Sequence, residues 1–330
     1  MTAIERALAA PKSFVRADLV TLLANEDEGL WREIFAAACE LKVRVGRGEV
    51  LPRGLVECSN ICAKDCLYCG IRRGNGKVAR YRLAEEDVFA CIDEARRRGY
   101  PAVAFQAGEV ESEANTAYYE RLLAKCCGLE VTLSLGEQTE DVYRRWKDAG
   151  AMRYLIRIET SNRELYGRIH PADCSFDRRL GCIRTLKRLG YVTGTGVMIG
   201  LPGQTLKDLA DDILFFAREG ADMVGMGPYI PHADTPLAAR AAGGASDDRQ
   251  KLLELGLKMI ALTRLHLWDV NIVAATALEA LDPERGRERG IAAGANVVMP
   301  VLTPESSRRS YDLYPGKSEA PFNLDLGHLD

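Results

Sequence analysis

Eight short apolar runs, each followed by an amphipathic helical pattern, recur along the chain and limit the folds that it can adopt. Most runs are continuously apolar, as expected for parallel strands that helices cover on the outside. Eight strand–helix alternations, without a linker or a shift in composition, predict one complete (β/α)8 barrel of the TIM type rather than two domains. The runs are residues 54–58, 102–106, 131–135, 153–158, 192–199, 223–226, 271–275 and 296–299.

The segments outside the barrel divide the chain into three predicted parts. Residues 1–50 form a helical extension that packs on the barrel, with helices predicted over 16–24 and 28–47. Residues 51–302 form the barrel, and the irregular tail 303–330 closes it. The helical patterns between the strands cover 85–98, 115–126, 140–149, 177–189, 206–219 and 247–267.

Composition excludes several classes of function. The net charge of -3 gives no electrostatic case for binding nucleic acid. No signal peptide and no apolar stretch of membrane-spanning length is visible, so we expect a cytoplasmic protein with no membrane partner. Ten cysteines in 330 residues do not make a disulfide scaffold, and a cluster bound by thiolates would require a reducing compartment.

Three of these cysteines, Cys62, Cys66 and Cys69, follow the first predicted strand with the spacing Cys-x3-Cys-x2-Cys. Three thiolates in a tight loop are the ligand type that holds an iron–sulfur cluster. A cubane cluster has four irons, so three thiolates leave one iron open to a substrate. Because active sites of such barrels lie at the carboxyl ends of the strands, this loop lies where chemistry is expected.

Two alternatives remain for this loop. A structural zinc site normally uses two paired Cys or Cys/His arms, and no second arm follows downstream. Cys58, just upstream, could complete a four-thiolate site, but its apolar surroundings favour a place in the core.

Polar residues and glycines at the ends of other strands point to a ligand cavity. Glu109 follows the second strand, and Arg157 and Glu159 lie two apart on the fourth, so both can line the cavity. Gly196 and Gly200 lie in the fifth run, where glycines suggest a close approach of the backbone to a ligand.

The cysteine loop, with an aromatic residue before its last cysteine, resembles the signature of radical S-adenosylmethionine (SAM) enzymes. Further motifs narrow the resemblance to the HydE family of [FeFe]-hydrogenase maturases, and more distantly to biotin synthases and methylornithine synthases. It covers the chain from the first helices to Lys317. The motifs are residues 57–60, 70–73, 80–82, 132–137, 200–205 and 311–317.

The resemblance implies two cofactors and a set of site residues. A [4Fe-4S] cluster on Cys62, Cys66 and Cys69 would bind SAM through its fourth iron. The residues implied for SAM are Tyr68, Gly108, Glu109, Glu159, Arg179, Gly196, Met198 and Gly200. Those implied for the substrate are Thr132, Arg157, Thr276, Met299, Tyr311 and Tyr314. No cysteine follows Cys182, so the auxiliary cluster of some relatives is predicted to be absent.

The implied reaction is reductive cleavage of SAM to a 5′-deoxyadenosyl radical, which acts on a cysteine-bound Fe(CO)2(CN) precursor of the hydrogenase cluster. The implied partners are hydrogenase maturation proteins and an electron donor such as a ferredoxin or flavodoxin. One alternative is a HydE-like enzyme with another small substrate, either an amino-acid mutase such as methylornithine synthase or a sulfur-inserting enzyme. An alternative of another class is a non-catalytic iron–sulfur carrier or scaffold.

Overall fold

The computed structural model describes residues 14–241 and 249–316, and these form a closed barrel of parallel strands with helices outside. Every apolar run predicted as a strand overlaps a strand of the structure, which confirms the barrel. The fifth run is interrupted, and its second half pairs with a short extension of the sixth. The strands are β1 (Leu51–Ser59), β2 (Ala102–Ala107), β3 (Glu130–Ser134), β4 (Arg153–Leu155), β5 (Val192–Thr195), β6 (Met198–Ile199), β7 (Met223–Val224), β8 (Gly227–Pro228), β9 (Asn271–Ile272) and β10 (Val297–Val298).

Strand pairing follows chain order around the barrel. The hydrogen-bonded order is β10-β1-β2-β3-β4-β5-β7-β9, and every pair is parallel. A parallel bridge between Val273 and Val297, with the Asn296 amide donating to the Ile272 carbonyl at 3.0 Å, joins the two ends. The ring is therefore complete, and its carboxyl ends face one side of the molecule.

Helices cover the outside of the ring, and α5 shows why these sequences form them. Thr139 caps α5 by accepting from the Val142 amide, and acidic residues occupy the first turn. Tyr143 and Trp146, three apart on one face, are fully buried against the strands. The helices are α1 (Arg16–Ala24), α2 (Glu28–Arg44), α3 (Glu85–Arg97), α4 (Glu113–Ala124), α5 (Glu140–Asp148), α6 (Arg163–Ile169), α7 (Phe176–Arg188), α8 (Leu206–Arg218), α9 (Pro236–Ala241), α10 (Arg249–Leu267), α11 (Thr276–Leu281), α12 (Gly286–Ala292) and α13 (Glu305–Arg308).

The amino-terminal helices pack on the barrel where the sequence predicts them. Helix α1 contacts α8, and α2 contacts α10. The buried Lys42 ammonium donates to the carbonyls of Ile291 and Ala295, which tie α2 to the segment leading into β10. None of the described helices is both long and apolar enough to cross a bilayer.

The segment after β10 returns over the carboxyl end of the barrel. The Glu57 amide donates to the Thr303 hydroxyl at 2.8 Å, and the Gly70 amide donates to the Leu313 carbonyl at 3.2 Å. A side chain at Gly70 would place its Cβ 2.0 Å from the Asp312 carbonyl oxygen, so the segment lies directly on the cysteine loop. The three-part division stays a prediction, and residues 1–13 and 317–330 lie outside the described residues.

Candidate active site

A cavity of about 330 Å³ lies inside the barrel at the carboxyl ends of the strands. Its volume lies in the range of small-molecule sites. Lining residues on a strand alternate, as Leu55 and Glu57 do on β1, because every second side chain points inward. The predicted site residues that line it are Cys62, Cys66, Tyr68, Cys69, Gly108, Glu109, Thr132, Arg157, Glu159, Arg179, Met198, Thr276, Met299, Tyr311 and Tyr314.

The other two predicted residues, Gly196 and Gly200, are not among those that line the cavity. Packing accounts for the first, because a Cβ there would lie 1.8 Å from the Gly225 carbonyl oxygen. Gly200 has a φ of +83°, and a Cβ would lie 2.5 Å from Leu252 Cδ1. Packing and backbone conformation within the protein therefore account for a glycine at both positions, and contact of these glycines with SAM stays a prediction.

Hydrogen bonds join the cysteine loop to the end of β2. The Cys62 sulfur accepts from the amides of Lys64 at 3.4 Å and Glu109 at 3.3 Å, and the Ala63 amide donates to the Glu109 carbonyl at 2.7 Å. Gly108 packs against the loop so closely that a Cβ would lie 2.3 Å from the Ile61 carbonyl oxygen. Amide hydrogen bonds to a cysteine sulfur suit an iron-bound thiolate, because they stabilise its charge.

The three thiols line the cavity that a cluster would enter. Burial raises the pKa of Cys62 and raises that of Cys69 to about 12. Contact with the Cys174 thiol, together with burial, raises the pKa of Cys66. Iron binding must therefore expel protons from these sulfurs. Within the described residues no three His, Cys, Asp or Glu side chains lie close enough together to share one metal ion. All three cysteines of the loop line one cavity, and thiolates are the ligand type that holds iron–sulfur clusters.

Cys58 lies elsewhere, in the layer between the barrel and its helices. It is fully buried in the main hydrophobic core, its thiol faces the Val56 carbonyl at 3.6 Å, and it is not a lining residue of the cavity. Burial and the neighbouring Cys91 and Cys126 raise its pKa well above the usual value. This position favours the core role for Cys58 over the four-thiolate alternative.

A network of charges lies beside the cysteine loop. Glu109 Oε2 accepts from the Glu137 amide at 2.8 Å, and a Cβ at Gly136 would lie 2.2 Å from that oxygen. Glu137 is fully buried, and its Oε1 accepts from Arg179 Nε at 2.6 Å. The Lys64 ammonium lies 3.2 Å from Glu109 Oε1. Lys64 and Glu137 were not predicted as site residues, although Lys64 lies within the cysteine loop and Glu137 within the 132–137 motif.

Arg157 and Glu159, which follow β4, form an ion pair at 2.9 Å in the lining of the cavity. Glu159 has a φ of 67°, rare for a residue with a side chain. Its carbonyl accepts from the Met198 amide at 2.9 Å, which holds this conformation against β6. Arg157 also donates to the Val197 carbonyl at 2.8 Å.

Tyr68 meets a histidine that sequence reasoning did not select. The Tyr68 hydroxyl lies 3.3 Å from His170 Nε2, and His170 Nδ1 lies 2.9 Å from the Tyr166 carbonyl. Burial lowers the pKa of His170 to about 3, so its ring is neutral. The carbonyl requires Nδ1 to carry the proton, so Nε2 accepts from Tyr68.

The predicted substrate residues line the cavity from inside β3 and from the segments that follow β4, β9 and β10. Thr132 accepts from the buried Arg53 guanidinium at 3.1 Å, and Thr276 shares a hydrogen bond with Tyr314. Met299 and the buried Tyr311 line the same cavity. Arg53 was not predicted, because it precedes the apolar run that marks β1. The side chains near Thr132 thus supply cations and hydroxyls in an otherwise mainly apolar interior.

Comparison with known proteins gives the family of this chain. The sequence model of the Radical SAM superfamily matches residues 56–216, which hold the cysteine loop and the first strands. The family match, on a chain with the barrel fold, defines an enzyme that cleaves SAM at a [4Fe-4S] cluster.

Relatives narrow the class further. The chain is 44% identical over 312 residues to the "[FeFe] hydrogenase maturase subunit HydE" of Thermotoga maritima, covering 93% of this chain and 85% of that protein. The crystal structure of methylornithine synthase (PylB) is similar in fold, with a TM-score of 0.78, 23% identity and coverage of 98% and 91%. HydG from Carboxydothermus hydrogenoformans gives a TM-score of 0.76, with 19% identity and coverage of 98% and 73%. The chain belongs to the HydE family of the radical SAM superfamily.

Proposed function

We propose that this enzyme acts in the assembly of the [FeFe]-hydrogenase cluster, on a cysteine-bound Fe(CO)2(CN) precursor. The relative from Thermotoga maritima, named as a maturase of this hydrogenase, supports the proposal through 44% identity over almost the whole chain. The single observation that carries it is the cavity of about 330 Å³, which is lined both by the cysteine loop and by Thr132 and Arg157.

The residues of the loop would hold the cluster, and their neighbours would orient SAM. Cys62, Cys66 and Cys69 would each supply a thiolate, and when bound the cluster and SAM supply a 5′-deoxyadenosyl radical. Glu109 would accept the ammonium group of SAM, and Arg179 would donate to its carboxylate. The barrel interior keeps bulk water away from the reacting atoms, which strengthens these charged contacts.

The far side of the cavity would bind the substrate. Arg157, Thr132 and Thr276 offer a cation and two hydroxyls, which suit the negative charge of a cyanide ligand or of a cysteine carboxylate. Met299, Tyr311 and Tyr314 would surround the rest of the molecule. The volume admits a small molecule, not a folded protein segment.

The proposal also names an electron donor, a recipient of the product and a cellular compartment. A ferredoxin or flavodoxin would donate the electron, and other hydrogenase maturation proteins would receive the product. We place the protein in the cytoplasm, because thiolate ligands require a reducing compartment.

The test uses two readouts on anaerobically reconstituted protein: release of 5′-deoxyadenosine, and activation of hydrogenase in extracts that lack this maturase. We expect the Arg157→Gln variant to release 5′-deoxyadenosine while activating hydrogenase about 10- to 100-fold less, the range for loss of a hydrogen bond from a charged group. Arg163→Gln is the matched control, because Arg163 pairs with Asp177 on the surface.

Two results would argue against the proposal. Full activation by Arg157→Gln would remove this residue from substrate binding. Wild-type protein that releases 5′-deoxyadenosine but never restores hydrogenase would favour a HydE-like enzyme with another small substrate.

A further inference from the structure

The ammonium of Lys64 lies between two carboxylates at the edge of the cavity. Lys64 Nζ is 3.2 Å from Glu109 Oε1 and 3.6 Å from Glu137 Oε2. Glu109 Oε2 already accepts from the Glu137 amide at 2.8 Å. Both oxygens of Glu109 are therefore engaged before any ligand arrives.

A second ammonium group cannot approach Glu109 Oε1 without meeting the first. Like charges at hydrogen-bonding distance from one oxygen repel each other, most strongly in a site shielded from water. Resting on the proposed role of Glu109, we propose that Lys64 competes with the α-ammonium of SAM for this carboxylate, and that its side chain moves onto Glu137 when SAM binds. Lys64 thus sets the cofactor concentration at which the site fills.

Glu137 can receive the displaced cation because one of its present partners can leave. Arg179 is buried, and its Nε lies 2.6 Å from Glu137 Oε1, so this partner stays in place. Arg178 Nε lies 3.1 Å from Oε2, but its side chain is half-exposed and also pairs with Glu111 at 3.0 Å. Moving Lys64 onto Oε2 and leaving Arg178 to Glu111 keeps every carboxylate paired.

The backbone of Lys64 is held, so the exchange concerns its side chain alone. Its amide donates to the Cys62 sulfur at 3.4 Å, and its carbonyl accepts from the Arg73 amide at 2.8 Å. Both bonds are independent of the residue's side chain. Substitutions at this position therefore change the charge beside Glu109 and leave the cysteine loop in place.

The experiment titrates SAM into anaerobically reconstituted protein whose cluster is left oxidised, so that no electron is available to cleave SAM, and measures binding by isothermal titration calorimetry. We expect Lys64→Met to bind SAM about three- to fivefold more tightly than wild type, the range for release of one partly exposed ion pair. Lys64→Arg keeps the cation and should stay within about twofold of wild type. Unchanged or weaker binding by Lys64→Met would overturn the proposal.

If Lys64→Met binds too little iron to be titrated, a second variant and a second ligand still test the proposal. A SAM analogue without the α-amino group does not need Glu109, so wild type and Lys64→Gln should bind it equally while differing for SAM. An equal effect of Lys64→Gln on both ligands would also overturn the proposal.

Glu109→Gln separates this inference from the role assigned to Glu109. If Glu109→Gln binds SAM weakly but Lys64→Met binds it like wild type, Glu109 keeps its proposed role in binding SAM. Only the proposed competition between Lys64 and SAM is then refuted. If Glu109→Gln binds SAM like wild type, both the role of Glu109 and the competition by Lys64 are refuted. Neither result depends on hydrogenase activation, which tests the proposed substrate separately.

Discussion

We predict that the change Gly108→Ala, which adds one methyl group, prevents the enzyme from holding its iron–sulfur cluster. The change Gly108→Ala places a Cβ 2.3 Å from the Ile61 carbonyl oxygen and 2.7 Å from Cys62 Cβ. The carbonyl belongs to the backbone, so it cannot rotate away. Ordinary contact begins at 3.4 Å, so the two segments must separate by about 1 Å.

The size of this shift decides whether Gly108→Ala loses its fold or only its iron. Overpacking of this kind costs about 1–3 kcal/mol of folding free energy, which a barrel of this size tolerates. Ligand atoms of a metal site, however, must stay within about 0.2 Å of their proper distances. A shift of about 1 Å in the Cys62 backbone exceeds that tolerance several-fold, so iron binding fails before folding does.

The assay compares iron and sulfide per chain after anaerobic reconstitution, together with the thermal unfolding midpoint. Gly108→Ala should hold much less iron than wild type and unfold at a moderately lower temperature. Gly181→Ala is the matched control, because no atom lies within 4 Å of its new Cβ on the exposed face of α7. It should keep its iron and gain up to about 1 kcal/mol from the higher helix propensity of alanine.

Wild-type iron content in Gly108→Ala would refute the reasoning. It would show that the loop and the end of β2 move apart freely, and that the hydrogen bonds at Cys62 do not fix the ligand. Equal iron loss in Gly181→Ala would show a general defect of folding instead.

Two further predictions concern Cys58 and His170. Cys58→Ala should keep the full iron content and SAM cleavage at a cost of about 1–2 kcal/mol in stability, and iron loss from a folded variant would restore the four-thiolate alternative. His170 has its pKa lowered from 6.5 to about 3, so its contribution to stability is complete above pH 6.5 and is lost as the pH falls toward 3. At pH 5 this residue alone should lower the free energy of unfolding by about 2 kcal/mol relative to pH 8. Urea unfolding of metal-free wild type and His170→Gln measures this, and an identical pH dependence in the two proteins would contradict the assignment.

Local patterns were enough to predict the barrel and its cysteine loop. Each strand is a short apolar run, and a run such as 102–106 is readable without knowledge of its neighbours. The spacing of Cys62, Cys66 and Cys69 is equally local. Most of the implied site residues line the cavity because strand order fixes which ends meet.

Long-range contacts could not be read in the same way. The ion pair of Lys64 with Glu137 joins residues from two different loops, and only the closed barrel brings them together. Arg53 on β1 donates to Thr132 on β3, past the intervening strand β2, but in the sequence it is only a polar residue before an apolar run. Gly196 shows a second limit, because the Gly225 carbonyl oxygen, 1.8 Å from where a Cβ would lie, already requires a glycine there, and the sequence does not separate this cause from contact with a ligand.

The segment that rests on Gly70 has a consequence for how the holoenzyme is made. Asn60, beside the loop, donates to the Ser310 carbonyl at 2.6 Å, a contact between residues 250 positions apart. During synthesis the thiols therefore emerge long before the stretch that covers them. We therefore expect iron to reach the thiols more readily before this segment has folded over the loop than after.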